Sequence, residues 1–213
     1  MEIPTSLPSR VYLLAHDPAR QKLTGCERIG LTLRAAALAE LYLGGQLTDD
    51  NGRPKATGTP VTGDPVLANL LGLIADAKPM AWHRWIGKGE RHFRAQVRDQ
   101  LAQQRIIRVE PRRILGIFPS ERIIVRESRF VTQLRHTVSQ TLRDTAGVSA
   151  RSDRRDATMT ALAAAAKLRQ VIDRKHARDR KHRLNQLSEA AGPVIAALYK
   201  AIRRKQAAAA AGG

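Results

Sequence analysis

Apolar residues cover nearly the whole circumference of the predicted helix over residues 30–47, which read GLTLRAAALAELYLGGQL. On a helical wheel its leucines and alanines fall on more than one face, so no continuous polar face remains. A helix that is apolar almost all round is typical of a buried position. Gly44 and Gly45 are typical of a helix C-terminus. The pattern therefore predicts a central buried helix around which the other elements pack.

Two charged side chains, Arg34 and Glu40, interrupt this apolar helix. Arg34 falls in the predicted first turn, where the helix dipole disfavours a cation. A buried guanidinium needs a counter-charge, so either a carboxylate such as Glu27 or an anion from outside is expected beside it. The helix by itself leaves both alternatives open.

The remaining periodicity predicts a mainly α fold, namely a single globular helical domain with short β-hairpins. The predicted domain covers residues 10–205, between a flexible N-terminus at 1–9 and a disordered tail at 206–213. Further helices are predicted at 66–77, 90–105, 128–144 and 153–174, and a last one begins at Pro193. Hairpins are predicted from strands at 11–14 and 21–24, at 46–48 and 53–57, and at 106–109 and 113–118 with a turn at 110–112.

The predicted helix at 90–105 carries a basic ridge beside its apolar seam. Four arginines share an arc of roughly 60°, at about 100° per residue. They are Arg91, Arg94, Arg98 and Arg105. A solvated face with partial partners at Glu90 and Asp99 explains the ridge as well as an anion site does.

The second strand of the third predicted hairpin ends in four large apolar residues. They are Ile114, Leu115, Ile117 and Phe118. They are expected either in the core or at an apolar edge that contacts lipid or a partner subunit.

The net charge of the chain indicates which class of partner the protein binds. The chain has 213 residues, with 37 Lys and Arg against 19 Asp and Glu, and a formal charge of +18. Such an excess favours a polyanionic partner, either nucleic acid or an anionic membrane surface. The single cysteine, Cys26, excludes an internal disulfide and fits a reducing cytoplasm. No signal-peptide pattern and no run of 18 apolar residues is found.

Motifs for catalysis and metal binding are absent from the sequence. It contains no phosphate-binding glycine loop, no GxSxG, no HExxH and no cysteine pair, and its histidine spacings fit no metal site. The sequence therefore predicts a protein that is not an enzyme and that has no metal or cofactor.

The order of several segments resembles the Golgi phosphoprotein 3 family, including its actinobacterial members. The segments are GLTLRAAALAELYLGGQL, TGDPVLANLL, HRWI, RHFRAQVRDQL, RRILGIFP, SDRRDATMTALAAAAKL and PVIAALYKAI. The resemblance extends over residues 11–203 and implies a mostly helical domain with short hairpins. A high ratio of arginine to lysine and alanine-rich runs favour a bacterial member.

The resemblance also implies a lipid site. Eukaryotic members are peripheral membrane proteins that bind phosphatidylinositol 4-phosphate. Carried over by motif, their pocket arginines fall on Arg34, Arg91 and Arg94, whereas their tryptophan falls near Gly25, where no aromatic residue stands. The hairpin, which in the family contacts membrane and neighbouring subunits, falls on residues 110–121.

The leading hypothesis is a peripheral protein at the cytoplasmic face of a membrane. It would bind an anionic, phosphoinositide-like headgroup through the three arginines and associate with itself through the hairpin. Arg34→Ala, or Arg91→Ala with Arg94→Ala, is then expected to abolish vesicle binding and leave the fold intact. The alternatives are a nucleic-acid-binding basic protein, which would use the basic run at 174–183, and an oligomeric scaffold without a lipid ligand.

Overall fold

The computed structural model describes residues 6–61, 63–114, 118–144, 151–169, 171–172 and 180–212. These ranges contain nine helices and three two-stranded antiparallel sheets. In chain order the elements are α1 (Leu7–Leu14), β1 (His16–Asp17), β2 (Lys22–Leu23), α2 (Cys26–Leu43), β3 (Leu47–Asp50), β4 (Arg53–Ala56), α3 (Pro65–Ala75), α4 (Trp82–Gly87), α5 (Glu90–Gln103), β5 (Ile107–Ile114), β6 (Phe118–Val125), α6 (Ser128–Arg143), α7 (Arg151–Ala165), α8 (Lys181–Ala190) and α9 (Val194–Ala211).

The central position of α2 and the mainly helical fold are confirmed. Every residue from 31 to 39 is buried, and α1, α4, α5, α7 and α9 pack against this helix. The buried apolar side chains form one hydrophobic cluster that includes α2. Gly44 follows the last helical residue and Gly45 adopts a φ of 78°, so the predicted glycine stop is also correct.

Glu40, one of the two charged residues within the apolar part of α2, joins three helices. Its Oε2 accepts a hydrogen bond from the backbone N–H of Leu7 at 3.0 Å, and its Oε1 lies 2.6 Å from Nη2 of Arg155. The carboxylate therefore satisfies a backbone donor at the start of α1 and neutralises a cation on α7.

The predicted strand at 11–14 is wrong, and the flexible segment predicted at 1–9 is wrong for residues 7–9, because residues 7–14 form α1. A run of four apolar residues fits a buried strand or a buried helix equally well. Pro8 in the first turn favours the helix, since a proline needs no amide hydrogen bond there. The first hairpin consists instead of β1 and β2, with His16 opposite Leu23.

The second hairpin is confirmed, with Asn51 and Gly52 as its turn, but the third differs from the prediction. Residues 110–112 continue β5, with Pro111 opposite Glu121, and the last pair is Ile114 with Phe118. Both strands of a two-stranded sheet are edges, where proline is tolerated. Leu115 and Ile117 lie outside the described residues.

The alanine-rich helices end at other places than predicted. The helix expected at 153–174 runs from Arg151 to Ala165, because Lys167 adopts a φ of 56° and its N–H turns back to the Ala164 carbonyl. Conversely, α9 continues to Ala211, although a disordered tail was expected over 206–213. Alanine has the highest helix propensity, which explains the continuation.

His16 connects the first hairpin to the third. Its Nε2 donates a hydrogen bond to the Ile123 carbonyl at 2.8 Å, and its buried Nδ1 has no hydrogen-bond partner among the described residues. Burial lowers the pKa of His16, as does the charge of Arg135, against opposing contributions from the Ile123 carbonyl and Asp17. The folded protein therefore favours neutral His16.

Acid is therefore expected to destabilise the fold through this histidine. Free histidine has a pKa of about 6.5, so the unfolded chain binds a proton there that the folded chain resists. The stabilisation is complete above about pH 6.5 and falls as the pH decreases towards the lowered folded-state value. Urea unfolding would be measured at about pH 6.5, the value at which free histidine titrates, and at lower pH. The decrease in the free energy of unfolding caused by acid should be smaller for His16→Gln than for wild type. The exposed His92, changed to glutamine, is the control; equal losses in all three proteins would contradict the prediction.

Candidate anion-binding site

The first turn of α5 approaches the second turn of α2 closely because Gly30 has no side chain. A Cβ atom built on Gly30 would lie 2.9 Å from the backbone oxygen of Glu90 and closer still to its carboxylate. The inner face of α5 is buried, as predicted, and consists of Phe93, Val97 and Leu101. Arg91 and Arg94 lie on the outer side of the helix.

A cleft of about 300 Å³ lies where α2, α5 and α9 meet. We call it the α2–α5 cleft. Its lining residues come from all three helices: Glu27, Gly30, Glu90, Arg91, Arg94 and Lys205. The structure thus brings together two of the three predicted site arginines.

The charges in the α2–α5 cleft are only partly neutralised. Lys205 donates a hydrogen bond to Glu90, so these two charges compensate each other. Neither Arg91 nor Arg94 forms an ion pair with any residue that the structure describes. The spacing of three residues places the two guanidinium groups on one side of α5, about one turn apart. Such a pair of planar donors suits a phosphate or carboxylate group.

Arg34 does not line this cleft. It is 5% exposed, its Nε donates to the Trp85 carbonyl at 3.0 Å, and its guanidinium carbon lies 5.2 Å from the centre of the Phe93 ring. Arg34 thus contacts the buried face of α5, the helix that carries Arg91 and Arg94 on its other side. It links α2 to α4 and α5.

Of the two alternatives for Arg34, a carboxylate partner is not found among the described residues. Within the described ranges no acidic side chain forms an ion pair with it, and Glu27 lines the cleft instead. Burial lowers the pKa of Arg34 to about 10, so the group remains a cation at neutral pH. Because α2 begins at Cys26, Arg34 lies in its middle, and the helix-dipole argument from the sequence does not apply.

The other arginines of the predicted ridge have different environments. Arg98 is bound to Asp99, at 2.8 Å, and to Glu121 on β6. Arg105 follows the end of α5 with a φ of 57°. Of the four ridge arginines, Arg91 and Arg94 therefore line the cleft, Arg98 forms ion pairs with two carboxylates, and Arg105 is exposed.

Sequence reasoning missed Lys205 and Glu90 as cleft residues. Lys205 falls at the end of the predicted domain, and no local signal connects it with a glutamate 115 positions away. Gly25, where the family's tryptophan would fall, precedes α2 with a φ of 66°. A tryptophan would be strained in that conformation.

Part of the predicted nucleic-acid contact at 174–183 is structural. Nη1 of Arg180 donates to the Leu142 carbonyl at 2.6 Å, and Nε of Arg183 donates to the Thr141 carbonyl at 3.2 Å. Both carbonyls lie at the C-terminus of α6, where cations are favoured. Residues 173–179 lie outside the described residues.

Among the described residues, no three His, Cys, Asp or Glu side chains come together as potential metal ligands. Of the helices described, none is both long and apolar enough to cross a membrane.

The fold is that of a helical domain built around a buried central helix, with a basic cleft at the junction of three helices. The model of the Golgi phosphoprotein 3 (GPP34) family matches residues 7–204, nearly the whole chain, and the protein belongs to this family. No curated protein matches the chain. Family membership confirms the resemblance seen in the sequence.

Proposed function

We propose that this protein binds anionic lipid headgroups at a membrane surface through the α2–α5 cleft. The observation that carries the proposal is the pair formed by Arg91 and Arg94, which share a concave site and have no ion-pair partner in the described part of the chain. A phosphate group in the cleft would accept hydrogen bonds from both guanidinium groups. The proposal is of binding, without catalysis.

Three further points support a membrane lipid as the ligand. The chain belongs to the Golgi phosphoprotein 3 family, and Arg34, Arg91 and Arg94 stand where the resemblance places the phosphoinositide-binding arginines of eukaryotic members. The net charge of +18 favours an anionic surface. Arg34 adds a buried positive charge, without a carboxylate partner among the described residues, against the α5 helix.

The third hairpin would provide a second membrane contact or a surface for self-association. Its last backbone pair is Ile114 with Phe118, at the opposite end of the hairpin from the pair of Ile107 with Val125. In the sequence, Leu115 and Ile117 fall between Ile114 and Phe118. Apolar side chains at such an end suit insertion between headgroups.

Co-sedimentation with vesicles at physiological salt tests the proposal. Neutral vesicles, vesicles with a generic anionic lipid and vesicles with phosphatidylinositol 4-phosphate would be compared. We expect binding to the phosphoinositide vesicles, and weaker binding to the generic anionic ones, because the arginine pair provides directed hydrogen bonds in addition to charge. Equal binding to both anionic kinds would show a surface binder driven by charge alone. Absence of binding to all three would refute the proposal and favour nucleic acid or a protein partner.

A further inference from the structure

A second basic cleft, of about 820 Å³, lies on the other side of Glu27, between the start of α2 and the segment that follows α7. We call it the α2–α7 cleft. Four basic and two acidic side chains line it: Arg20, Arg28, Lys167, Arg169, Asp17 and Glu27. None of the arginines predicted from the sequence as site residues belongs to it.

The basic residues of this cleft converge from three separate parts of the fold. Arg20 lies in the turn between β1 and β2, Arg28 in the first turns of α2, and Lys167 and Arg169 after α7. A charged face on one helix arises from local sequence alone, whereas here tertiary packing brings the cations together around a concave space.

The cations of the α2–α7 cleft lack sufficient counter-charge. Asp17 lies 3.7 Å from Arg20, and the same carboxylate accepts hydrogen bonds from the backbone N–H groups of Ala19 and Arg20. Arg28, Lys167 and Arg169 form no ion pair within the described ranges. Cations held near one another repel, and an anion bound among them removes that repulsion.

Lys167 occupies a backbone position that favours glycine. Its φ is 56°, and the N–H of Leu168 returns to the Ala163 carbonyl, which closes the C-terminus of α7. Glycine is the usual residue at such a position because it has no Cβ atom. A lysine here costs stability in the folded chain, and it places an ammonium group in the cleft.

We propose that the α2–α7 cleft is a second anion-binding site that takes a phosphate group between Arg28, Lys167 and Arg169. Glu27 borders both clefts, so it separates the two sites with a negative charge. On a membrane the two clefts would bind two headgroup phosphates at neighbouring points of the surface. The phosphate can also belong to a soluble molecule, which the test below distinguishes. The proposal concerns other basic residues than the α2–α5 cleft and stands independently of it.

Lys167→Gly is the sharpest test because it removes a cleft cation and relaxes the backbone at the same time. Its matched control is Arg105→Gly, since Arg105 is an exposed cation with a φ of 57° and does not line the α2–α7 cleft. Both variants lose one positive charge, and neither is expected to lower the midpoint of thermal unfolding.

Binding to vesicles of phosphatidylcholine with phosphatidic acid measures recognition of a lipid phosphate. The rise in the midpoint of thermal unfolding in sodium phosphate, compared with sodium chloride at equal ionic strength, measures binding of free phosphate. We expect Lys167→Gly to bind the vesicles about fivefold more weakly than wild type, on the basis of about 1 kcal/mol per basic residue at a surface. We expect Arg105→Gly to change binding less than about twofold, because Arg105 does not line the cleft and an exposed charge outside the site is screened by salt. If Lys167→Gly loses the rise in unfolding temperature with sodium phosphate but keeps its binding to vesicles, the site takes a soluble phosphate. Equal behaviour of the two variants with both probes would overturn the proposal.

One further variant tests the carboxylate that the two clefts share, and a second variant separates this site from the first. Glu27→Gln removes the carboxylate that borders both clefts, so it should strengthen vesicle binding; weaker binding would contradict the arrangement. Arg91→Gln with Arg94→Gln affects the α2–α5 cleft alone and should keep the phosphate response that Lys167→Gly loses. If Lys167→Gly behaves like its control while the arginine pair is required, the second site fails and the proposed function remains.

Discussion

Arg34→Ala is expected to lower the free energy of unfolding by about 3 kcal/mol, as large buried side chains do when shortened to alanine. The change removes the hydrogen bond to the Trp85 carbonyl and the contact with the Phe93 ring, and it leaves a cavity between α2, α4 and α5. The sequence alone predicted an intact fold for this variant, because it did not reveal those contacts. Urea unfolding of wild type and variant measures the loss.

Arg34→Met separates the structural role of Arg34 from a role in binding. Methionine fills much of the same volume without a buried charge, and exchanging a buried ion for an apolar side chain is often neutral. We therefore expect the free energy of unfolding to stay within about 1 kcal/mol of wild type. If the positive charge of Arg34 supports anion binding, the methionine variant should bind anionic vesicles more weakly while it remains folded. Undiminished binding would restrict Arg34 to a structural role, and an alanine variant as stable as wild type would contradict the contacts described.

Arg91→Gln combined with Arg94→Gln is expected to weaken binding to phosphoinositide vesicles by about 30-fold. The estimate follows from about 1 kcal/mol for each basic residue at the membrane, or about 2 kcal/mol for the pair. Stability should change little, because both side chains lie on the outer face of α5 and form no ion pair with a described residue. Vesicle titrations with the two proteins measure the ratio of affinities.

The matched control for this pair is Arg105→Gln combined with Arg126→Gln. Both arginines are exposed and lie near each other, since the N–H of Arg126 bonds to the carbonyl of Ile106, at the far end of α5 from the cleft. The control has the same net charge as the test variant. If the two double variants bind equally, the α2–α5 cleft is not the site, and attraction by the overall charge explains the binding.

Several elements were predictable because their signals are local. The helix predicted at 66–77 has a local start signal, Asp64 before Pro65, and the Asp64 side chain accepts hydrogen bonds from the N–H groups of Val66 and Leu67, both at 3.1 Å. The apolar seams of α5 and α6 predicted which faces are buried. Adjacent pairs such as Asn51 and Gly52 predicted a hairpin turn. Each of these signals acts over a few residues, so one sequence suffices to recognise it.

Other predictions failed where two local structures fit the same residues. Residues 11–14 suit a buried strand as well as a buried helix. In the fold Pro8 stands in the first turn of α1, and the carboxylate of Glu40 accepts a hydrogen bond from the N–H of Leu7 at its start. The turn predicted at 110–112 rested on Pro111, but an isolated two-stranded sheet accepts a proline. In the first case a contact with a distant residue supports the helix, and in the second the strand β5 accepts the proline because it lies at the edge of its sheet.

By itself the sequence determined the mainly helical fold, the central buried helix, the strong positive charge and the membership of the Golgi phosphoprotein 3 family. It also placed Arg91 and Arg94 together, since residues three apart on a helix lie side by side. Only the tertiary structure decided which cations are neutralised. Lys205 pairs with Glu90, Arg98 with Glu121, and Arg34 contacts a backbone carbonyl and an aromatic ring. These contacts join residues that lie 23 to 115 positions apart, and no periodicity along the chain records them.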